Sequence, residues 1–347
     1  MSIVATRLDE YRLAYDRQNL DAWEHRLSNY GALATYQKDT PVTIPGYQEL
    51  VDNRFNAIRT VAIPVMQRTT FTTAATRTCD PLTHEMTSTY VTPSWTTLKV
   101  GFNMTPAEHQ NNYIKYQDLF NKKMTNMQRD LAAALDTLAV AGLEANHTLI
   151  YGAAGNPYAE VADELVVPAA DNELFFNELS AVMAADDFPS DDINVVSSPR
   201  LQALVREYSA QGTSNAENRV FQFGGYSFSY SNRAVPAGTD RDIVFAMPSG
   251  SLAFMTWIDP DARMGHSSTD GKEWSVTNLP VLGFDVGLLY QSTCADRSSS
   301  TYAGGTGMEA TLSESFHFSF DYSFNVAYNS DTATYAGPIH KFRLTLT

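Results

Sequence analysis

The residues best suited to chemistry lie in the segment "DPDARMGHSSTDG", which contains Asp259, Asp261, His266 and Asp270. Two carboxylates two positions apart, with a histidine nearby, could bind a divalent cation or transfer protons. Asp-Pro and Asp-Gly are also common turn sequences, and the spacing matches no established pattern of metal ligands. The segment therefore favours a surface loop over a metal site or a catalytic site.

Other motifs that carry chemistry are missing from the sequence. It has no G-x-S-x-G elbow, no G-x-x-x-x-G-K-[ST] phosphate loop and no G-x-G-x-x-G, and the pair His84-Glu85 lacks the second histidine of H-E-x-x-H. The acidic run in "AADDFPSDD" is typical of a solvated loop. We therefore predict no catalytic residue, no bound metal and no cofactor.

A β-rich hydrolase or glycan-binding protein is the alternative from a different functional class. It would use Asp259 and Asp261 together with the aromatic side chains of Trp257 and Trp274. Both tryptophans stand in strand-like surroundings, which favour packing in a core or an interface.

The composition sets further limits on the function. The 347 residues are 44% hydrophobic and 18% charged, which is enough for one large or two medium domains. The net charge of -15 argues against a sequence-reading nucleic-acid protein and against binding to anionic membranes. Cys79 and Cys294 stand alone, so two buried thiols are expected. No secretory signal and no membrane-spanning segment are expected.

The first elements of the chain predict an arm followed by a hairpin. Residues 2 to 36 are loosely amphipathic and predict a helical arm that lies on another surface. Pro41, Pro45 and Gly46 are predicted to end its helical character. Residues 59 to 103, rich in Thr, Val and aromatic side chains, predict two long antiparallel strands. A lone two-stranded hairpin is marginally stable at best, so its partner must come from elsewhere in the fold or from another subunit.

A single long helix is predicted from residue 105 to residue 146, with Thr105 as N-cap and Pro106 in the first turn. At roughly 40 residues it would be about 60 Å long, which exceeds the diameter of about 50 Å expected for a globule of this chain length. Gly142 could end it a few residues earlier. The predicted buried stripe follows spacings of three and four: Tyr113, Tyr116, Phe120, Met124, Met127, Leu131, Ala134, Leu138, Ala141 and Ala145.

The rest of the sequence predicts two more helices and a series of strands. A helix in "DNELFFNELSAVMAADDF" should be capped by Asp171 or Asn172. "SDDINVVSSPRLQALVREYSAQG" predicts a strand followed by a helix from Pro199 to Gly212. Residues 219 to 293 are mostly strand-like, and the clean alternation in "SFHFSFDYSFNVAYN" predicts one more strand.

The order of these elements resembles the Johnson fold, an HK97-like α+β fold of tailed-bacteriophage major capsid proteins that encapsulins and herpesvirus capsid floors share. "INVVSSPRLQALVREY" is similar to the strand and helix that begin the axial domain, and "LPVLGFDVGLLYQST" to the strand that leaves it. The resemblance implies an N-terminal arm at 1–58, an extended loop at 59–103 and a peripheral domain at 104–188 with a spine helix at 105–146. It further implies an axial domain at 189–293 and C-terminal strands at 294–347 that return to the peripheral domain.

The resemblance implies a structural protein, and no enzyme, that self-assembles into an icosahedral or prolate shell of hexamers and pentamers around double-stranded DNA. The expected location is the virion, after assembly in the host cytoplasm. The expected partners are copies of the chain itself, a separate scaffolding protein, a portal, a cement protein, and DNA through weak non-specific contacts. An encapsulin-like compartment shell is the nearest alternative.

Some capsid relatives join an extended-loop lysine to an asparagine of a neighbour. Lys99 lies at the base of the predicted hairpin rather than near its tip, so no such crosslink is expected here. The expected contacts between subunits fall on the hairpin and the arm: Phe71, Thr76, Arg77, Pro81, Tyr90, Trp95, Tyr11 and Trp23.

Overall fold

The protein contains both helices and strands, which confirms the predicted α+β class. Strands far apart in the sequence pair with one another, as an α+β arrangement requires. The computed structural model describes residues 3–16, 30–44, 63–66, 88–105, 116–147, 157–172, 174–186, 188–189, 191–211, 225–238, 240–268, 271–297, 309–326 and 337–346.

Six α-helices lie in the described ranges, and only one of them is long. They are α1 (Ile3–Asp16), α2 (Gly31–Thr43), α3 (Tyr116–Asn146), α4 (Phe175–Ala185), α5 (Leu201–Gln211) and α6 (Pro260–Met264). No helix among the residues described is both long and apolar enough to cross a bilayer.

The strands of the first half of the chain are β1 (Ile63–Met66), β2 (Ser88–Val91), β3 (Thr96–Met104), β4 (Ala159–Val161), β5 (Glu164–Val167) and β6 (Ile193–Ser197). Those of the second half are β7 (Tyr226–Tyr230), β8 (Asp240–Pro248), β9 (Leu252–Trp257), β10 (His266–Ser267), β11 (Lys272–Leu279), β12 (Phe284–Arg297), β13 (Glu309–Val326) and β14 (His340–Thr345).

The first large sheet is antiparallel throughout and is built around β13. Its order is β10-β11-β12-β13-β3, and β9 pairs with the C-terminal part of β13. The predicted strand in "SFHFSFDYSFNVAYN" is confirmed, and it is 18 residues long. From Ser313 to Phe320 its residues alternate between less buried and fully buried positions, as one face packs on the core.

The second large sheet is mixed, with the order β4-β5-β14-β8-β6-β7. The β5–β14 and β6–β7 pairs are parallel, and the others are antiparallel. All five residues of β6 are buried, because this strand is covered on both faces. Val196 belongs to the core shared with α2, α3 and the first sheet, whereas Val195 belongs to the core under α4 and α5. The described residues therefore form two hydrophobic cores with the second sheet between them.

The long helix α3 is continuous over 31 residues, about 46 Å at 1.5 Å per residue. Its unbroken course through Met124 to Leu138 confirms the central part of the predicted spine helix. The first ten residues of the predicted helix after Thr105, residues 106–115, lie outside the described residues. Phe120, Met127 and Leu131 are buried as the predicted stripe requires.

The second half of the predicted stripe is wrong. Ala134 and Ala141 are exposed, whereas Leu135, Ala139 and Leu143 are buried. A strict spacing of 3.5 residues drifts by about 20° per heptad from a straight helix with 3.6 residues per turn. Alanines are common on both faces in this half of the helix, so the sequence pattern does not show which face is buried.

The predicted end of helical structure before Pro41 is also wrong, because α2 contains Pro41 and continues to Thr43. Two hydrogen bonds hold this last turn on β9. The amide of Phe254 donates to Thr40 Oγ1 at 2.8 Å, and Thr43 Oγ1 donates to the carbonyl of Leu252 at 2.6 Å. These tertiary contacts outweigh the hydrogen bond that proline cannot make.

The N-terminus of α4 differs from the prediction as well. Its N-cap is Leu174, which makes no side-chain cap, and a short 3₁₀ turn, Ala169–Asp171, precedes it. Asn172 instead donates from Nδ2 to the carbonyl of Thr345 at 3.0 Å. Its amide is thus used to hold the end of β14.

The two sheets draw strands from several of the expected segments. β5 comes from the predicted peripheral segment and joins the second sheet, as does β14 from the C-terminal segment. β9, β11 and β12 come from the predicted axial segment and lie in the first sheet with β3 and β13. The sheets therefore cross the expected boundaries at residues 188 and 293, and the division into domains stays a prediction.

Candidate assembly surfaces

The base of the predicted hairpin is a two-stranded sheet that no other described strand joins. β1 and β2 pair antiparallel from Ile63 opposite Val91 to Met66 opposite Ser88. Four residues then connect β2 to β3, which enters the first sheet. A two-stranded sheet is marginally stable on its own, so this ribbon is suited to pairing with a partner.

Most of the predicted contact residues of the hairpin and the arm lie outside the described residues: Phe71, Thr76, Arg77, Pro81 and Trp23. Tyr90 lies in β2, opposite Pro64. Trp95 is half-buried, and its ring centroid is 6.3 Å from that of Trp257. The contact role of these residues stays a prediction.

Tyr11, the other predicted contact residue of the arm, is occupied within its own chain. Its side chain is 1% exposed. Its hydroxyl lies 3.4 Å from Thr125 Oγ1 and accepts a hydrogen bond from Gln128 Nε2 at 2.9 Å. The helix α1 is therefore docked on the long helix α3 of the same chain, and Tyr11 has no surface left for a neighbouring subunit in this arrangement.

A second contact of α1 is a polar cluster around Glu314, at the point where β13 pairs with the last residue of β3. Arg7 of α1 and Tyr116 of α3 both donate hydrogen bonds to Glu314 Oε2, and the Tyr290 hydroxyl donates to Oε1 at 3.0 Å. Burial by itself would raise the pKa of Glu314, but hydrogen bonds from Tyr116, Arg7 and Tyr290 hold it below its ordinary value. The cluster joins the arm, the long helix and two strands.

Helix α2 is fixed by a buried carboxylate, that of Asp39, which is 1% exposed. Its Oδ1 accepts hydrogen bonds from Asn194 Nδ2 at 3.2 Å, Ser249 Oγ at 3.2 Å and the amide of Gly250 at 2.7 Å. Its Oδ2 accepts from the amide of Leu252 at 2.8 Å. Four donors from β6 and the β8–β9 turn balance the cost of burying the charge, so α2 is held against both sheets.

Asp136 gives the long helix a similar anchor in the middle of its length. Its Oδ1 accepts from the amide of Leu33 in α2 at 3.0 Å, and its Oδ2 accepts from Ser231 Oγ at 2.5 Å. Burial raises the pKa of Asp136, although the bonds from Ser231 and Leu33 act in the opposite direction. The arrangement positions α3 and leaves this carboxylate no access to a substrate.

The described residues contain one group that could hold a metal ion, namely Glu144, His147 and Glu164, whose ligand atoms lie within 4.8 Å of one another. Lys341 occupies the same place. Its ammonium pairs with Glu144, and with Glu164 at 2.5 Å. A bound cation would have to displace this ammonium, so the arrangement is an ion pair that attaches β14 to the end of α3.

The acidic segment "DPDARMGHSSTDG" forms a turn and a short helix on the surface. Asp259 is exposed and caps α6 by accepting a hydrogen bond from the amide of Asp261 at 3.0 Å. His266 is exposed in β10, and its ring centroid lies 5.6 Å from that of Trp274. Asp270 lies outside the described residues. The carboxylates thus have the turn and cap roles that favour a surface loop.

Trp257 packs in the core, as expected. It is 2% exposed, and the guanidinium of Arg263 lies 4.1 Å from its ring centroid.

The acidic run in "AADDFPSDD" is only partly a solvated loop, because Asp186 Oδ2 lies 3.0 Å from Nε2 of the fully buried His340. This contact attaches the end of α4 to β14.

Sequence reasoning missed both anchoring carboxylates, although only Asp39 stands among polar neighbours. Asp39 lies in "YQKDTPVT", where a charged residue is expected to face solvent. Asp136 had a detectable signal, since it is the only charged residue in "LAAALDTLAVAG". A charge on an otherwise apolar helix suggests a buried partner.

Comparisons with known proteins place this chain beside phage structures. No protein-family model matches the sequence, and no curated protein matches it. A structure titled "Mycobacterium phage Che8" is 12% identical, with a TM-score of 0.46 over 85% of this chain and 90% of that chain. The structure "Capsid structure of the Cyanophage P-SCSP1u" is 9% identical, with a TM-score of 0.46 over 84% of each chain. "Asymmetric unit of bacteriophage PhiM1 mature capsid" is 14% identical, with a TM-score of 0.44 over 86% and 84%.

Proposed function

We propose that the protein is the major capsid protein of a tailed bacteriophage, with an HK97-like fold. The observation that supports this most is the succession of a two-stranded ribbon, an edge strand and one continuous helix of 31 residues. The ribbon β1–β2 has no third strand among the described residues, and such a ribbon gains stability from a partner. A chain that is completed by its neighbours is a subunit of an assembly.

The buried polar groups also fit a structural role. Asp39 and Glu314 each accept hydrogen bonds from at least three groups of the protein. Carboxylates in such surroundings fix the positions of helices and strands, whereas catalysis requires a group that can reach a substrate. These carboxylates therefore support the proposed role in assembly.

The shell is expected to consist of hexamers and pentamers that enclose double-stranded DNA, with assembly in the host cytoplasm. The net charge of -15 limits its affinity for phosphate, which suits a wall that must let DNA be packed and released. A separate scaffolding protein, a portal and a cement protein are the proposed partners.

The test is to express the full chain with the scaffolding protein encoded beside its gene and to examine the product by sedimentation and negative-stain microscopy. The proposal predicts closed particles of megadalton mass. A folded protein that stays monomeric with scaffolding protein present would overturn it. Particles filled with another protein, and not with DNA in infected cells, would favour the encapsulin-like alternative.

A second variant tests the role of the hairpin. In it, residues 67–87 are replaced by Asn-Gly. That dipeptide favours a tight turn between β1 and β2. The variant should keep the circular dichroism spectrum of the parent chain and form no particles, since the segment that reaches a neighbour is removed. Normal particles from this variant would contradict the role given to the hairpin.

A further inference from the structure

A cavity of about 370 Å³ opens where α2, β9 and the turn before β12 meet. This is within the usual size range of small-molecule and side-chain pockets, roughly 300–1,000 Å³. Its floor includes three buried apolar side chains, those of Phe254, Ile258 and Leu282, which are 5%, 6% and 2% exposed, beside the buried Thr40 and Thr256. The half-buried ring of Phe284 forms a wall, with its centroid 5.7 Å from that of Phe254.

The rim of this cavity is negative. Asp285 is exposed at the rim and accepts a hydrogen bond from Asn278 Nδ2 at 2.8 Å. The C-terminal turn of α2 also lines it, and the carbonyl of Gln37 there receives no helical hydrogen bond, because Pro41 has no N–H. Among the described residues that line the cavity there is no lysine, arginine or histidine.

An aromatic and aliphatic floor beneath a negative rim fits a flat cation with an apolar stem. The guanidinium of arginine has this form, because it stacks on aromatic rings and pairs with carboxylates in the same plane. A lysine ammonium is more strongly hydrated and stacks less well. The cavity is therefore suited to the side chain of an arginine.

The chain itself supplies such a side chain. The segment between β1 and β2, "QRTTFTTAATRTCDPLTHEMT", contains Arg68 and Arg77, and its two acidic residues, Asp80 and Glu85, both follow them. Met66 pairs with Ser88, so Arg77 is the central residue of the connection. Ten residues lie between it and the ribbon on each side, and eleven steps along the chain give a reach of up to about 36 Å.

We infer that Arg77 of one copy of the chain docks in the Phe254–Phe284 cavity of a second copy and pairs there with Asp285. This inference rests on the proposed capsid function and names one contact by which the hairpin joins neighbouring subunits. The opposite charges of the Arg77 side chain and of Asp285 at the rim give the contact its direction.

Charge reversal tests the pair. Arg77→Asp and Asp285→Arg should each lower the yield of particles at least tenfold, with the circular dichroism spectrum of each subunit unchanged. Arg68→Ala, in the same segment, is the matched control and should assemble as the parent chain does. Normal assembly of either reversed variant, while the parent chain assembles, would overturn the inference and leave the proposed function intact.

Mixing the two reversed variants separates contact between copies from contact within one copy. An interface between the two variants has one of two pairings. Either Arg77 of the Asp285→Arg variant meets Asp285 of the Arg77→Asp variant, or the introduced aspartate meets the introduced arginine. Particles should therefore return on mixing equal amounts. If only the double variant on one chain assembles and the mixture does not, the pairing lies within one chain and the inference is wrong. Failure of the parent chain to assemble would instead refute the proposed function.

Discussion

Asp242 offers the sharpest test of the buried electrostatics. Its side chain is fully buried in β8. Oδ1 accepts hydrogen bonds from the amides of Ile243 at 2.8 Å and Ser198 at 3.3 Å, whereas Oδ2 has no hydrogen-bond partner among the described residues. Burial raises the pKa of Asp242 from 3.8 to about 6, and the hydrogen bonds only partly oppose this.

The direction of the pH effect on stability follows from proton linkage. The native state binds the proton more tightly than the unfolded state, so the ionised carboxylate destabilises the fold. The contribution of Asp242 to the free energy of unfolding should therefore fall as the pH rises from 3.8 to about 6 and stay level above that. Since one pH unit corresponds to about 1.4 kcal/mol, the whole interval amounts to about 3 kcal/mol at most.

The measurement is urea unfolding of the parent chain and of Asp242→Asn at several pH values between 4 and 8. The difference between the two free energies of unfolding cancels the contributions of all other titrating groups. It should shift in favour of the variant by about 1–3 kcal/mol from pH 4 to pH 7.5. Val244→Ala, a neighbouring change without a titrating group, should differ from the parent by the same amount at every pH. A constant difference for Asp242→Asn would refute the reasoning.

Three further changes test the packing. Gly31→Ala should lower the free energy of unfolding by about 1–3 kcal/mol, because a Cβ there would lie 2.4 and 2.5 Å from the backbone N and O of Tyr230. Gln128→Leu should cost about 1–3 kcal/mol, because its Oε1 is the acceptor for the buried amide of Val281 at 3.0 Å. Glu314→Gln should speed hydrogen exchange in α1, and the parent chain should lose the same protection only in acid, since the pKa of Glu314 lies below its ordinary value.

Each of these has a control on the exposed side of the same helix. Ala34→Gly, Asn126→Leu and Glu10→Gln alter exposed residues of α2, α3 and α1. The first should cost about 1 kcal/mol from helix propensity. The other two should change the unfolding free energy by less than about 0.5 kcal/mol. Equal effects of a test variant and its control, in urea unfolding or in hydrogen exchange, would contradict the structural reason given for that pair.

The sequence predicted the elements better than their assembly. Periodicity was sufficient for α3 and β13 because each is long and one of its faces is apolar over most of its length. It was insufficient for the sheets, since β5 and β14 pair although more than 170 residues separate them. No local pattern in either strand specifies that partner.

The anchoring contacts were hidden from the sequence for a related reason. The partners of Asp39 are mostly backbone amides, such as those of Gly250 and Leu252. Every residue except proline carries such a donor, so its presence at a given place leaves no mark in the sequence. The docking of Tyr11 on its own chain was hidden in the same way, because a loosely amphipathic arm fits a neighbour as well as it fits its own long helix.

The polar contacts along α3 explain how an alanine-rich helix keeps one position between two sheets. Gln128, Asp136 and Glu144 are eight residues apart, about 12 Å along the axis at each step. Gln128 accepts from the turn before β12, Asp136 accepts from α2 and from Ser231 after β7, and Glu144 pairs with Lys341 of β14.

The apolar face alone would not fix this register, since small side chains pack almost equally well after a shift of one turn. Such a shift would leave the buried carboxylate of Asp136 and the amide of Gln128 without their partners, which costs several kcal/mol in total. Polar groups therefore set the position of α3, and the apolar face supplies the attraction. In the proposed shell, a subunit would transmit forces between its neighbours and would require a strut that does not slide. These three contacts would meet that requirement.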